Sequence, residues 1–154
     1  MERFEFKEFT ESGRLRIFKK ALFSRLFEKK VYELITAGTF KYPLYLSAGE
    51  EFIPATIAHY CSDVEPLIFA QHRAHSIYLS FNGNRDNLVC ELLGKSTGCS
   101  KGMGGSASIQ GKEINMFGHD GMMGSQIPIA VGACLASKRP TIAICGDAAA
   151  EEDY

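Results

Sequence analysis

No stretch of the 154 residues approaches the run of roughly 20 apolar residues that a membrane-spanning helix needs. The N-terminus, Met1-Glu2-Arg3-Phe4-Glu5, carries acids and lacks the apolar centre of a signal peptide. No C-x-x-C pair occurs. The five cysteines, Cys61, Cys90, Cys99, Cys134 and Cys145, are odd in number, which argues against a disulfide framework or a zinc finger and for a reducing compartment. Net charge is nearly absent as well: 17 basic against 18 acidic residues leave -1, no field with which to attract nucleic acid or anionic lipid. What remains is 45% hydrophobic and 23% charged residues, the composition of a soluble globular protein. The length suits one domain with a core rather than two.

Residues 15–37 carry the strongest helical pattern. Leu15, Phe18, Leu22, Leu26, Val31, Leu34 and Ile35 form an apolar stripe, read as core packing rather than as a surface for lipid or a partner helix. Gly38 follows at the C-terminal cap. Ser47 and Glu50 have capping-box spacing for a second helix, in which Pro54 predicts a kink or a later start. Residues 66–70 read as a strand, and 84–94 as a capped helix with Leu88, Val89, Leu92 and Leu93 inward. Ser125 is placed to cap a helix with Pro128 in its first turn, burying Ile127, Ala130, Val131, Cys134 and Leu135. Thr141-Ile142-Ala143-Ile144-Cys145 suits a strand buried on both faces. Alternating helices and strands predict an α/β domain with a parallel sheet flanked by helices. Residues 146–154 leave that strand toward a further helix, so the sequence is expected to be the front part of a longer protein.

Three places could carry chemistry. Residues 94–124 hold nine glycines; such density marks unusual backbone or close approach, or simply a loose loop. The Walker pattern is missing, since Lys95-Ser96 lacks a glycine at position 89. Gly146-Asp147 ends an apolar strand, where open α/β sheets bind ligands; its carboxylate suits Mg²⁺ beside a phosphate, or caps the next helix. His72-Arg73-Ala74-His75 follows the other strand, with a guanidinium fork for phosphate and two imidazoles for proton transfer; two structural histidines and a solvated arginine are the other reading. His72 and His75 find no convincing third and fourth ligand for zinc.

Taken in order, these pieces resemble a known family. Arg25 to Val31, Gly49-Glu50-Glu51, His72 to His75, Leu92 to Ser106, Gly121-Met122-Met123-Gly124-Ser125-Gln126-Ile127-Pro128 and Gly146-Asp147-Ala148-Ala149 look like the first part of the alpha subunit of thiamine-diphosphate-dependent 2-oxo acid dehydrogenases, which act on pyruvate, branched-chain oxo acids or, in related enzymes, acetoin. The resemblance implies a thiamine-diphosphate-binding fold, incomplete at the C-terminus, with a helical segment over 1–40 and the front of the α/β domain over 41–154. It implies thiamine diphosphate and Mg²⁺ as cofactors, with Asp147 the metal ligand. Arg73 and His72 would contact the diphosphate, the backbone at Gly121 and Met123 the aminopyrimidine, and Gly146, Ala148 and Ala149 would line the diphosphate site. His75 and His119 are the candidate catalytic histidines.

The departures from the family pattern are also specific. Ala148 replaces the second glycine of Gly-Asp-Gly, and His72 stands where tyrosine is common. Tyr45 and Ser106-Ala107-Ser108 occupy positions that carry histidines in many relatives. An asparagine of the metal site, and the later catalytic loop, would fall beyond this sequence. The implied activity is oxidative decarboxylation of a 2-oxo acid with acyl transfer to lipoamide, the chain alone being inactive. Implied partners are a beta subunit, in a heterotetramer, and a lipoyl-bearing acyltransferase; neither nucleic acid nor membrane is expected. The implied compartment is the cytoplasm, or the mitochondrial matrix in a eukaryote. Competing readings are an acetoin- or transketolase-type enzyme with the same cofactor, and a non-catalytic interaction fragment.

Overall fold

A computed structural model describes residues 8–118 and 121–152. Helix α1, Glu11–Thr36, starts where the Thr10 side chain accepts the Gly13 N–H at 3.1 Å, and Glu11 lies in its first turn, where the helix dipole favours an acid. It ends at Gly38, whose φ of +72° reverses the chain at little cost to a residue without Cβ. The predicted end holds, the start lies four residues before the predicted one, and the predicted face holds only at its C-terminal part, where Val31 is buried and Leu34 and Ile35 are half-buried. Leu15, Phe18, Leu22 and Leu26 are 43% to 56% exposed, whereas Gly13, Ile17, Ala21, Ser24, Glu28 and Val31 are buried. The N-terminal half of the inward face includes the small residues Gly13, Ala21 and Ser24, and there α1 lies close against the second helix. Ala21 and Ile17 pack on the fully buried Ala55, and a Cβ on Gly13 would come 3.0 Å from the His59 ring. Bulk on that face would hold the two helices apart.

Helix α2, Phe52–Cys61, starts later than the Ser47 signal, as Pro54 predicts, with the proline in its first turn. Ser47 is not its cap: its side chain is buried and donates to Glu28. Strand β1, Leu67–Ala70, is buried along its length; β2, Met116–Phe117, and β3, Thr141–Ile144, lie on either side of it, both parallel, in the order β2-β1-β3. The α/β reading with a parallel sheet is therefore what the chain adopts. Helices α3, His75–Ser80, and α4, Arg85–Leu92, cover the sheet together with α1. The Asn84 side chain caps α4, accepting from the Asp86 and Asn87 N–H groups at 2.9 and 3.1 Å. The main core gathers Val31, Ile68, Ile77, Tyr78, Leu88, Leu92, Ile109 and Met116. Of the four residues expected inward on α4, Leu88 and Leu92 are buried, while Val89 and Leu93 are 37% and 39% exposed.

Helix α5, Gln126–Ser137, seats Ala130 against Leu67 and Phe69 on the other side of the sheet. Ser125 precedes it with helical backbone, and its hydroxyl donates to the Met122 carbonyl rather than capping the helix. Val131, Cys134 and Leu135, expected inside, are exposed, and Ile127 is half-buried. β3 is partly open to solvent rather than buried on both faces, for among the described residues it pairs with β1 alone. Helix α6, Asp147–Glu152, follows it.

Candidate functional site

Because β1 and β3 are parallel neighbours, they end on the same edge of the sheet; the Gln71 N–H extends the ladder by donating to the Ile144 carbonyl at 3.1 Å. Gln71-His72-Arg73 and Cys145-Gly146-Asp147 therefore leave the sheet side by side. With Tyr45 and Glu50 they wall a cavity of about 730 Å³. This is where an open α/β sheet presents its ligand site. Arg73 is exposed there, one guanidinium nitrogen donating to the Leu46 carbonyl at 3.2 Å. His72 is half-buried, its ring 4.6 Å from that of Tyr45. The Ala150 N–H donates to the Gly146 carbonyl, which makes Gly146 the cap of α6 and leaves the Asp147 carboxylate exposed on the wall. A Cβ on Gly146 would meet nothing within 4 Å, so there is room over this backbone.

The turn at Gly121 approaches from α5. Gly121 is exposed with φ +105°, and Met123 Sδ lies 2.7 Å from the Gln71 side-chain nitrogen, so Gln71 ties this turn to the end of β1. Ala148 is exposed and Ala149 is buried. The structure thus brings His72, Arg73, Gly146 and Asp147 to one cavity and sets Met123 behind Gln71. His119 lies outside the described residues.

His75 is elsewhere. It opens α3 with no exposed surface and does not form part of the cavity wall. Its Nδ1 is 2.9 Å from Glu28 Oε1 and its Nε2 is 2.8 Å from the Ser106 hydroxyl. Glu28 Oε1 also accepts the Ser47 hydroxyl at 2.9 Å, Ser47 accepts the Ser76 N–H at 3.0 Å, and Ser106 accepts the Tyr45 N–H at 2.8 Å. With Nδ1–H aimed at the carboxylate, Nε2 is left to accept from Ser106. Serine, histidine and glutamate in this order resemble a nucleophile with its base and orienter. All three are almost completely buried and none lines the cavity; the arrangement joins α1, α3 and two loops.

Two further carboxylates set the surroundings. The Arg25 fork holds Glu51, with one contact at 2.9 Å, and the Gly49 N–H adds to it at 3.1 Å. The arginine hydrogen bond, working against burial, keeps Glu51 below the usual carboxylate range and pins the turn that puts Glu50 on the cavity. Glu91, on the inner side of α4, is surrounded by the glycine-rich segment: Ser100 and Gly102 donate to one oxygen, Gly104 and Gly105 to the other. Burial, with the Glu91 charge, pushes the Cys99 thiol up to about 11, so it stays protonated at neutral pH. Sequence reasoning did not single out Glu28, Glu91 or Cys145. Glu91 alone had a signal, an acid on the same helix face as the inward Leu88 and Leu92, where only a paired or hydrogen-bonded charge survives.

An exposed arginine and an exposed aspartate stand at the carboxyl ends of adjacent parallel strands of an α/β domain, the edge where open sheets of this kind take their ligands. Residues 19–153 match the family model described as Dehydrogenase E1 component, and the chain belongs to that family. It is 33% identical over 129 residues, 84% of its length, to the alpha subunit of acetoin:2,6-dichlorophenolindophenol oxidoreductase from Bacillus subtilis, covering 38% of that protein. It is 33% identical over 113 residues to the mitochondrial pyruvate dehydrogenase E1 component subunit alpha-1 of Arabidopsis thaliana, 70% of this chain and 29% of the relative. The Solanum tuberosum pyruvate dehydrogenase E1 alpha subunit matches at 29% over 152 residues, 96% and 36% respectively. The chain thus spans well under half the length of these relatives. Among the described residues no helix is long and apolar enough to cross a membrane.

Proposed function

We propose that this chain supplies the diphosphate-binding wall of a thiamine-diphosphate-dependent dehydrogenase that oxidatively decarboxylates a 2-oxo acid and passes the acyl group to a lipoyl-bearing acyltransferase. The observation that carries the reading is the convergence of Arg73, His72 and Asp147 on one cavity at the ends of β1 and β3. Their donor set fits the cofactor. Arg73 offers a planar fork to phosphate oxygens, Asp147 offers the hard oxygen that Mg²⁺ prefers, and the open space over Gly146 admits a diphosphate close to the backbone.

The bound cofactor supplies the electron sink for decarboxylation. The chain's own residues bind and orient it. Arg73 offsets phosphate charge, Asp147 holds the metal, and the half-buried His72 ring, braced by Tyr45, lies over the same end of the cavity. Gly121 and Met123 would face the aminopyrimidine, and the backbone of Gly146, Ala148 and Ala149 the diphosphate. His75 acts through Ser106 and Glu28 by holding the loops that form the wall. His119 is the remaining candidate for contact with substrate. A beta subunit, as partner in a heterotetramer, would complete the site.

Calorimetric titration of thiamine diphosphate into the chain, with and without Mg²⁺, tests this reading. Saturable binding that requires the metal is expected, and it should be lost in Asp147→Asn; absence of binding in the assembled protein overturns the reading. Dye reduction with pyruvate, branched-chain oxo acids and acetoin then names the donor. Acetoin is the second candidate because of the Bacillus relative.

A further inference from the structure

Glu91 has no exposed surface, does not touch the cavity, and yet accepts four backbone hydrogen bonds. The N–H groups of Ser100 and Gly102 meet one oxygen at 2.7 and 2.8 Å; those of Gly104 and Gly105 meet the other at 2.8 and 3.0 Å. Converging N–H groups of this kind form an anion-binding concavity. Here the anion is the chain's own side chain. The glycines follow from that closeness: a Cβ on Gly98 would sit 2.6 Å from Glu91 Cα, and one on Gly102 would sit 2.7 Å from the Gly94 carbonyl carbon. The glycine-rich segment is wrapped around an internal carboxylate, so its N–H groups are not available to a ligand's phosphate.

The segment continues directly into Ser106, which accepts the Tyr45 N–H at 2.8 Å and meets His75 Nε2 at 2.8 Å. Tyr45 in turn sets its ring 4.6 Å from that of His72, tilted by 35°, in the cavity wall. We propose that Glu91 is a positioning residue for the cofactor cavity: an internal anion that shapes residues 98–105, delivers Ser106 to Tyr45 and His75, and so places the Tyr45–His72 wall. This rests on the cofactor reading given above. It adds a residue that never contacts the cofactor but on which the geometry of its site depends.

The test uses Glu91→Gln, Glu91→Ala and Ser106→Ala in the full chain within its assembly. Without any cofactor, amide hydrogen exchange over residues 98–106 should accelerate about tenfold or more in both Glu91 variants, the loss of charge-assisted bonds at 1.4 kcal/mol per decade. Exchange in β1 should stay as in the wild type. Thiamine diphosphate affinity should fall roughly 10- to 100-fold, as when supporting groups behind a ligand shell are removed. Ser106→Ala should lose affinity while 98–104 keeps its protection, which carries the test if the Glu91 variants fail to fold. Formate, a small carboxylate, should restore both protection and affinity in Glu91→Ala; a variant that ignores formate is not rescued and counts against an anion role. Unchanged exchange in the Glu91 variants overturns the proposal, as does unchanged cofactor affinity with a loosened loop. Failure of the wild type to bind thiamine diphosphate sinks the cofactor reading instead, and the exchange results still decide what Glu91 does to the loop.

Discussion

Replacing Arg73 by alanine separates diphosphate recognition from fold stability. The side chain is exposed on the cavity wall, and its recorded contact within the chain is the 3.2 Å hydrogen bond to the Leu46 carbonyl. Truncation leaves no cavity in the core, and an exposed substitution of this kind costs within about 0.5 kcal/mol. The thermal midpoint should therefore stay within about 2 °C. A charge-assisted hydrogen bond to phosphate is worth about 1.5–3 kcal/mol, which is roughly a 10- to 150-fold loss of affinity. That loss should appear for thiamine diphosphate and vanish for thiamine, which has no phosphate. The assay is a pair of calorimetric titrations on wild type and Arg73→Ala, the quantity read being the ratio of the two ligands' affinities. An equal loss for both ligands, or none for either, would remove Arg73 from the diphosphate site. Arg73→Lys should recover part of the loss, because an ammonium keeps the charge but not the fork.

Glu51, held below its ordinary range by Arg25, contributes stability that is complete at neutral pH; this stability is lost as pH falls from about 4.3, the unfolded value, through the lower folded one. Urea midpoints should drop on that acid limb in the wild type and flatten in Glu51→Gln; parallel limbs refute the assignment. Gly98→Ala should cost about 1–3 kcal/mol by driving a Cβ into the Glu91 backbone, and an unshifted denaturation midpoint would show that the loop yields freely. On α1, Leu22→Lys should leave the chain's own stability within about 0.5 kcal/mol. Ile17→Lys puts a charge at a site only 5% exposed and should unfold much of the helix pair. Circular dichroism melts that reverse this order would overturn the buried face described above.

The longer elements were legible because they depend on local patterns, whereas the short α3 and the two-residue β2 carry too few residues for a pattern and were not read. Thr10 and Asn84 offer capping oxygens, Gly38 a left-handed stop, and residues 67–70 and 141–144 uninterrupted apolar runs. Facing was less legible. On α1 the large apolar residues advertise a stripe, but two helices that touch through Ala21, Ala55 and Gly13 need small side chains at the contact, and the large ones are turned outward. Hydrophobic periodicity weights a residue by its bulk, whereas close packing at a helix contact selects against it. The same bias sent Val131 and Leu135 inward on paper while the structure leaves them exposed.

The meeting of Arg73 and Asp147 at one cavity was legible because both follow strands of a parallel sheet and so leave it at the same edge. What supports the cavity was not, because Glu28, His75, Ser106 and Glu91 are separated in sequence and come together only when the loops fold. A buried acid carries its information in its partners. Glu91 sits between apolar neighbours on α4, ahead of a run of glycines that reads equally as closely approached backbone or as a loose loop; only the four N–H groups turned toward its oxygens show that the glycines and the acid are one feature. Of the two readings that glycine density left open, close approach and a loose loop, the structure shows close approach, and what approaches is the chain's own Glu91. At the strand ends, by contrast, Arg73 and Asp147 stay exposed on the cavity wall, which is why the proposed phosphate contact is placed there.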